Sequence, residues 1–566
     1  MDAAKIVLAS EDSLQIQFEQ KICPEVNSRI SAFVEEFASL TRDMPEVFEI
    51  VPTYCAASVY FDEKKCKPSL LKKIALEALE KTCGAGSDGV DSGKTIRIPV
   101  CYEDKEFAPD LERVCANARL SEEEAVKIHS STDYLIYMMG FLPGFPYLGG
   151  MDERLKTPRL ETPRTRIPAG SVAIGGKQTG LYPSESPGGW NIIGRTPLKV
   201  FDLERDPIFL YKAGDKIRFE PISKSDFERF DEKKWLEEMG LGGGSAKSAL
   251  KEKYECGGGI EILEAGLMTT IQDGGVVGFQ KYGISQSGVM DKASFDLANA
   301  LCGNEENAAC LETTLLGPKI RFTSDCAFAI CGAAFDGAAL DGVHVEMNKR
   351  IFAKAGSVLE CGSASKGLRS YIAFGGGVLA RKVFGSAATN VKSKIGGYGG
   401  RPLAAGDALA LGYADWISRQ AWNAAELPRS ASALIESGAF GMSRVCEEPL
   451  VLECVKTSQS DFFGTECIEK FSAAVYTVSA QSDRMGIRFE GPSLDCGKTD
   501  IISDAIPFGA VQITSAGLPL VMAADRQTTG GYAKIACVKK ASMYKLAQAL
   551  PGTKVKFKID RRSNLK

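Results

Sequence analysis

The chain has 566 residues, too many for one core, and at about 100–200 residues per domain it is expected to hold about three to five domains. Hydrophobic and charged contents of 44% and 25% exclude a disordered chain, and a net charge of −4 with mixed signs leaves no basic face for nucleic acid. Seventeen scattered cysteines behind the start "MDAAKIVLAS", which lacks a basic and apolar leader, fit reduced thiols in a cytoplasmic protein. No apolar run of about 18 residues crosses a membrane, and with only His129 and His344, and no C-x-x-C, no metal site is expected.

Ile30, Phe33, Val34 and Phe37 recur at i, i+3, i+4 and i+7, the stripe of an amphipathic helix. "SVYFDE" from Ser58 reads as a strand, and "SLLKKIALEALEKTC" from Ser69 as a helix with Ser69 as its N-cap. Residues 1–90 are thus expected to form a small α/β domain. "GAGSDGVDSGKT", from Gly84 to Thr95, ends like a P-loop, but Gly89 stands one residue too close and "IRIPVCY" supplies a strand where that motif needs a helix. It reads as a linker.

Ser121 and Glu124 make a capping box for a helix that carries His129 at its C-terminal end. A histidine there is either a structural residue favoured by the helix dipole or a proton-transfer group, because "HSSTDYLIYMMGF" runs straight into a glycine-rich string. Residues 95–222 otherwise show short strands and turns, the pattern of a β-barrel.

Two strings dominate this half: "GFLPGFPYLGG" from Gly140 and "TPRTRIPAGSVAIGGKQTGLYPSESPGGWNIIGRTP" from Thr162. Glycine permits positive φ and close approach to backbone N–H groups, and proline stiffens the flanks. Tight turns alone would account for the glycine and proline. Arg164, Arg166, Gln178, Thr179, Tyr182, Ser186 and Trp190, however, stand where ordinary turns carry Asp, Asn and Lys, which points to a rigid polar pocket. The two strings resemble the signature of the B component of the prokaryotic ATP-dependent 5-oxoprolinase family, also described as the Kip inhibitor, a relative of the carboxyltransferase region of urea carboxylase.

Residues 223–259 turn charged and helical, then glycine and serine-rich, and read as a linker between two halves. From Ile260 onward the chain resembles the C component of the same family, the Kip antagonist. The resemblance rests on "GLMTTIQDGG", "YGISQSGVMDKASFDLANALCGN", "LETTLLGP", "SYIAFGGG", "YTVSAQSDRMGIRFEGP" and "ADRQTTGGYAKIA" in that order. Asp291 caps a helix with Ala293, Leu297 and Leu301 on its apolar face and Gly303 at C′, and "SQSG" sits before its N-terminus, where anions are favoured. "QSDRMG" and "ADRQTTGG" are either surface turns with solvated ion pairs or loops that offer an arginine fork to a carboxylate or phosphate. The family carries an arginine soon after the Gln272-Asp273 dipeptide; "QDGGVVGF" has none.

The resemblance implies an α+β, β-rich fold: a small α/β domain over 1–90, a cyclophilin-like β-barrel over 95–222, a linker over 223–259 and a carboxyltransferase-type half over 260–560, also with a cyclophilin-like barrel. It implies a component of ATP-dependent 5-oxoprolinase, which opens the lactam of 5-oxoproline to glutamate together with a separate protein, the A component of that enzyme, using ATP with magnesium. A homo-oligomer is left open. On this reading His129, Arg166, Gln178, Asp483, Arg484, Asp525 and Arg526 are catalytic. Gly144, Tyr147, Arg164, Thr179, Gly180, Tyr182, Ser186, Gly188, Trp190, Gln272, Asp273, Ser287, Asp291, Gln481, Gln527, Thr528 and Thr529 bind substrate or nucleotide, in a pocket shared by the two halves. The alternatives are a biotin-dependent carboxyltransferase of the urea carboxylase or allophanate hydrolase type, and a regulator of a sporulation histidine kinase. Against the first, the B-like half precedes the C-like half, and no Met-Lys-Met biotin acceptor or Ser-Ser-Lys amidase loop occurs, so no biotin is expected on this chain. Against the second, fusing an inhibitor to its antagonist would silence it.

Overall fold

A computed structural model of the chain describes residues 4–83, 93–241, 244–245, 258–412, 431–432, 434, 448–497 and 500–560. The N-terminal unit is an antiparallel sheet in the order Lys5–Ser10, Ser13–Gln17, Ala56–Phe61, Val47–Pro52. Helices Pro24–Leu40 and Pro68–Lys81 pack on it, and Ile30, Phe33 and Phe37 of the expected stripe are buried with Leu14, Val59 and Leu71. The second helix begins one residue earlier than expected. Pro68 takes its first turn and Lys67 the N-cap, so Ser69 is not the cap. Proline has no N–H to satisfy there and its fixed φ suits the first helical position. The P-loop-like string lies for the most part outside the described residues.

The next unit is a closed barrel whose strands, in chain order, are Thr95–Cys101, Tyr134–Met139, Pro146–Gly149, Ser171–Gly175, Gln178–Leu181, Asn191–Arg195 and Lys216–Ile222. The capping box of Ser121 and Glu124 is formed at the helix Glu122–Ser130 beside it. Helices Lys224–Glu228 and Glu232–Glu238 follow, and Leu236 is buried in the barrel's core with Phe230 and Trp235 packed against it, so the helical part of the expected linker packs on the barrel; the glycine-rich remainder lies largely outside the described residues.

The second half opens with something the strand and turn pattern did not foretell. Residues 258–411 build a seven-stranded and a five-stranded sheet, with Ile260, Ile262, Phe322 and Leu409 of one packed on Phe328, Ile330 and Phe374 of the other. A second closed barrel then forms from Leu450–Val455, Tyr476–Val478, Gly486–Glu490, Ala510–Ile513, Pro519–Met522, Lys534–Val538 and Lys554–Asp560. The β-rich α+β class with a barrel in each half is therefore the observed one. Among the described residues no helix is long and apolar enough to cross a membrane. Cys467 and Cys496 form a disulfide, where composition led us to expect thiols.

The two barrels have one topology. In each, the first strand pairs in parallel with the last and antiparallel with the sixth, the second pairs with the third and the last, the fifth with the third and fourth, and the fourth with the sixth. Each also carries a two-stranded ribbon inserted at the same places: Arg164–Ile167 with Ser186–Gly188, and Asp500–Ala505 with Thr529–Tyr532. "IPAGSVAI" from Ile167 matches "IPFGAVQI" from Ile506, and "SPGGWNII" from Ser186 matches "TTGGYAKI" from Thr528. Gly170 and Gly509, at φ +82° and +85°, donate to Tyr182 O and Met522 O at 2.8 and 2.9 Å and accept from Thr196 N and Val538 N at 2.9 and 2.8 Å. The barrels are a structural repeat.

Candidate functional site

The two barrels meet where the first glycine-rich string of one touches the ribbon of the other. Gly140 ends a barrel strand and donates to Phe145 O at 3.1 Å, while Gly144, at φ +78°, donates to Tyr282 O of the second half at 2.9 Å. A Cβ on Gly140 would stand 2.0 Å from Thr529 Oγ1, so glycine is what lets the second barrel's ribbon close on this loop. Tyr147, buried, faces Thr529 and Ser503 from across the seam; burial raises its hydroxyl pKa, against the pull of those hydroxyls and of Arg159. Gln178 donates to the hydroxyl of Tyr54, which is fully buried against Tyr137 and Tyr147.

Phe145 holds this wall, edge-to-face with Tyr147, Tyr182 and Trp190 at 5.1, 5.2 and 5.7 Å. Gly180 packs under Trp190 and Phe145, and Gly188 leaves room for the Tyr182 hydroxyl, 2.7 Å from where its Cβ would be. Ile502 of the second ribbon packs on the same cluster as Ile167 of the first. Ser186 Oγ of the first ribbon and Thr528 Oγ1 at the start of the second are buried without a formed hydrogen bond among the described residues, whereas Thr529 Oγ1 faces the Tyr147 hydroxyl. Unmet hydrogen-bonding groups in a buried place are costly unless something else satisfies them. The structure thus brings together Gly144, Tyr147, Gln178, Gly180, Tyr182, Ser186, Gly188, Trp190, Thr528 and Thr529. Gln527 stands beside Gly530 of the same ribbon.

The Asp-Arg loops are placed differently. Arg484 forks onto Asp525 at 3.0 and 3.1 Å and also reaches Glu312 and Gly288 O, inside the second half. Burial works against the charge of Arg484, but the carboxylates of Asp525 and Glu312 outweigh it and raise its pKa; burial pushes Asp525 up, opposed by Arg484. Tyr371 donates to Glu312 and accepts from the Asp291 N–H; Asp291 caps its helix as expected and also accepts from Gln548. Arg526 is 2% exposed and bound by Ile506 O at 2.8 Å, with the amide oxygens of Gln280 and Gln286 at 3.3 and 3.4 Å. Asp483 closes a turn near the surface by accepting from the N–H groups of Met485 and Gly486, and Gln481 beside it is exposed.

Asp273, which no arginine follows closely in the sequence, is held by hydrogen bonds within the second half. Its carboxylate accepts from Ser386 Oγ and from the N–H groups of Ala387 and Gly275 at 2.5, 2.7 and 2.8 Å. Gln272 is buried and donates to Thr389 O, and Ser287 accepts from Asn390 at 3.0 Å.

In the first half, His129 is enclosed in the barrel. It bonds Tyr102 OH and Thr179 Oγ1 at 2.8 and 2.9 Å, stacks on Phe219 at 4.7 Å, and burial lowers its pKa to about 3. Arg164 forks onto Asp110 at 2.8 and 2.9 Å, and Asp110 also takes the Ile192 N–H. Arg166 points to solvent and pairs with Glu185 at 2.7 Å. An open cleft of about 490 Å³ lies elsewhere, lined by Ile271, Leu379, Arg381, Tyr398, Arg401 and Leu409, and none of the expected site residues lines it. Sequence reasoning missed Tyr54, Gly140 and Ser503; comparing the chain with itself would have flagged both ribbons.

Two family models match the chain: the carboxyltransferase domain, subdomain C and D, over residues 4–211, and the carboxyltransferase domain, subdomain A and B, over 282–559. The chain is 36% identical over 232 residues to the B component of 5-oxoprolinase from Bacillus subtilis, covering 39% of this chain and 94% of that protein. It is 36% identical over 299 residues to the C component of 5-oxoprolinase from Escherichia coli, covering 53% of this chain and 90% of that protein. Urea amidolyase of Lachancea kluyveri is 32% identical over 309 residues, which are 53% of this chain and 17% of that protein. The crystal structure of TTHA0988 superposes with a TM-score of 0.78 at 29% identity, over 96% of this chain and 99% of that one.

Proposed function

Because the chain belongs to the carboxyltransferase-domain family, similar to the B component of 5-oxoprolinase in its first half and to the C component in its second, we propose that it unites both in one polypeptide of a cytoplasmic, ATP-dependent 5-oxoprolinase. The observation that carries this reading is coverage: each half accounts for nine-tenths or more of a separately encoded protein, at 94% and 90%. The two halves also meet at the seam, where the uncommitted hydroxyls gather.

A lactam is a resonance-stabilised amide, and phosphorylating its oxygen makes its carbon open to attack by water. ATP would supply that chemistry. Of the arginines first considered as phosphate clamps, Arg164, Arg166 and Arg484 are bound to carboxylates of this chain. We therefore place the nucleotide on a separate protein, the A component, and give this chain the binding and orientation of the lactam. The hydroxyls of Ser186, Thr529 and Tyr147 and the amide of Gln178 are the groups that face it. Holding the ring fixed against the activating protein lowers the entropic part of the barrier.

The test is glutamate release from 5-oxoproline by the purified chain with a partner resembling the A component and ATP, each protein alone being inactive. Turnover by the chain alone, or none with the partner, overturns the reading. The match to urea amidolyase supports a second reading, carboxyl transfer from biotin. A carboxylation product formed from biotin-bound carboxylate and urea, without glutamate release, would favour it.

A further inference from the structure

Cys467 and Cys496 are joined 29 residues apart, and the other described cysteines are free thiols, most of them buried. Cys467 lies with Phe471 on the buried side of the helix Gly464–Ala473, whereas Cys496 is partly exposed at the edge of the second barrel's core. Four residues beyond Cys496 begins Asp500–Ala505, the strand of the second ribbon that reaches the seam. Among the described residues the last hydrogen bond to another element before that strand is Leu494 N to Gly517 O at 2.9 Å, and the disulfide follows it.

The ribbon strand is fastened at both ends to one element. At its far end Asp504 accepts from Gln459 Nε2 at 2.9 Å, and from Gln15 Nε2 and Thr53 Oγ1 of the N-terminal unit at 2.7 and 3.3 Å. Gln459 precedes the turn Ser460–Phe463, which runs directly into the helix that carries Cys467. At the near end the disulfide ties that same helix to the approach segment. Between the two ends the pairing is irregular: Asp500 pairs with Tyr532, and the ladder resumes only at Asp504 with Gly530. Ile502, which packs on the seam cluster, and Ser503, which faces Tyr147, lie in this interrupted stretch, so the two end fastenings set where they stand.

We propose that Cys467 and Cys496 form a redox switch for the second ribbon: as a disulfide they pin the leading end of Asp500–Ala505, and as two thiols they let that end loosen at the seam. In a reducing compartment protein disulfides are mostly transient or redox-sensing. Cys496, the more exposed partner, presents the sulfur open to attack. The thiolate of a dithiol reductant bonds to it, the Cys467 sulfur leaves and takes up a proton, and the reductant's second thiol then displaces the Cys496 sulfur, which is protonated in turn. The protein gains two electrons and two protons, and the reductant is left as its own disulfide. A disulfide oxidant runs the exchange backwards. This inference goes beyond the 5-oxoprolinase reading and does not depend on it.

The test equilibrates the full chain with oxidised or reduced dithiothreitol, traps free thiols by alkylation in denaturant, and measures hydrogen–deuterium exchange on both forms. Reduction is expected to make Cys467 and Cys496 alkylatable and to speed exchange over residues 500–505 at least roughly tenfold, with the first-barrel strand Thr95–Cys101 unchanged as an internal reference. Re-oxidation should restore the slow exchange. The double variant Cys467→Ser, Cys496→Ser should exchange like reduced wild type with or without dithiothreitol. Should it fail to fold, reduction and re-oxidation of the wild type decide by themselves. The switch is overturned if both cysteines stay alkylatable under oxidising conditions, if exchange over 500–505 is the same in the two forms, or if dithiothreitol changes that exchange equally in the double variant.

Discussion

Replacing Gly140 with alanine tests whether the two barrels meet as described. Gly140 does not use the left-handed region, so alanine is conformationally allowed there and the effect is steric alone. The new Cβ would lie 2.0 Å from Thr529 Oγ1, 2.9 Å from its Cγ2 and 3.0 Å from its Cβ. Ordinary carbon contacts fall near 3.5–4.0 Å, so the ribbon must retreat by roughly 1 Å or more. Thr529 cannot yield alone, because it is fully buried and paired in register with Ala505. Overpacking of this kind costs about 1–3 kcal/mol. Thr529→Ala by itself should cost about 1 kcal/mol, moderated because the hydroxyl it removes makes no formed hydrogen bond among the described residues. In the double variant the two shortest contacts vanish, so its loss should be smaller than the sum by about 1–2 kcal/mol. Urea unfolding of the four proteins measures this cycle, and glutamate release should follow the same order. Additivity within about 0.5 kcal/mol would refute the contact.

Arg484→Met leaves Asp525 and Glu312 buried without their cation and should cost about 3–5 kcal/mol, read as a fall in the urea midpoint; an unchanged midpoint would contradict the network. Arg526→Ala should also destabilise, because that side chain is 2% exposed and fills its site, whereas Arg166→Ala should shift stability by no more than about 1 kcal/mol. His129 titrates near 3 in the folded chain against about 6.5 unfolded, so the unfolded chain takes up the proton first as pH falls. Its contribution is complete above pH 6.5 and is lost below it by up to about 1.4 kcal/mol per unit. His129→Gln should flatten the stability profile between about pH 6 and 4, and an unaltered slope would place the ring outside the barrel.

What could be read from the sequence was mostly local. The stripe Ile30, Phe33, Phe37, the Ser121–Glu124 capping box and the Asp291 cap are set by residues within two turns of one another, and the structure forms all three. The two-sheet layer over residues 258–411 was not legible, because its strands pair across long separations and several are two or three residues long. At the site, side-chain type pointed to arginines but could not say which were already bound. Arg164 and Arg166 look alike in the sequence as candidates for an anion, and only the fold brings Asp110 and Glu185 onto them. The repeat of "IPAGSVAI" and "IPFGAVQI" was visible throughout, but its meaning depends on two ribbons converging in space.

The central claim is that one substrate site is built from both barrels. Hydrogen–deuterium exchange of the assembled complex, with and without 5-oxoproline, tests it most directly. The account predicts protection in two separate stretches, residues 158–190 and 500–532, which carry the matching ribbons. Protection confined to one barrel, or found instead around Tyr398 and Arg401 at the open cleft, would contradict it.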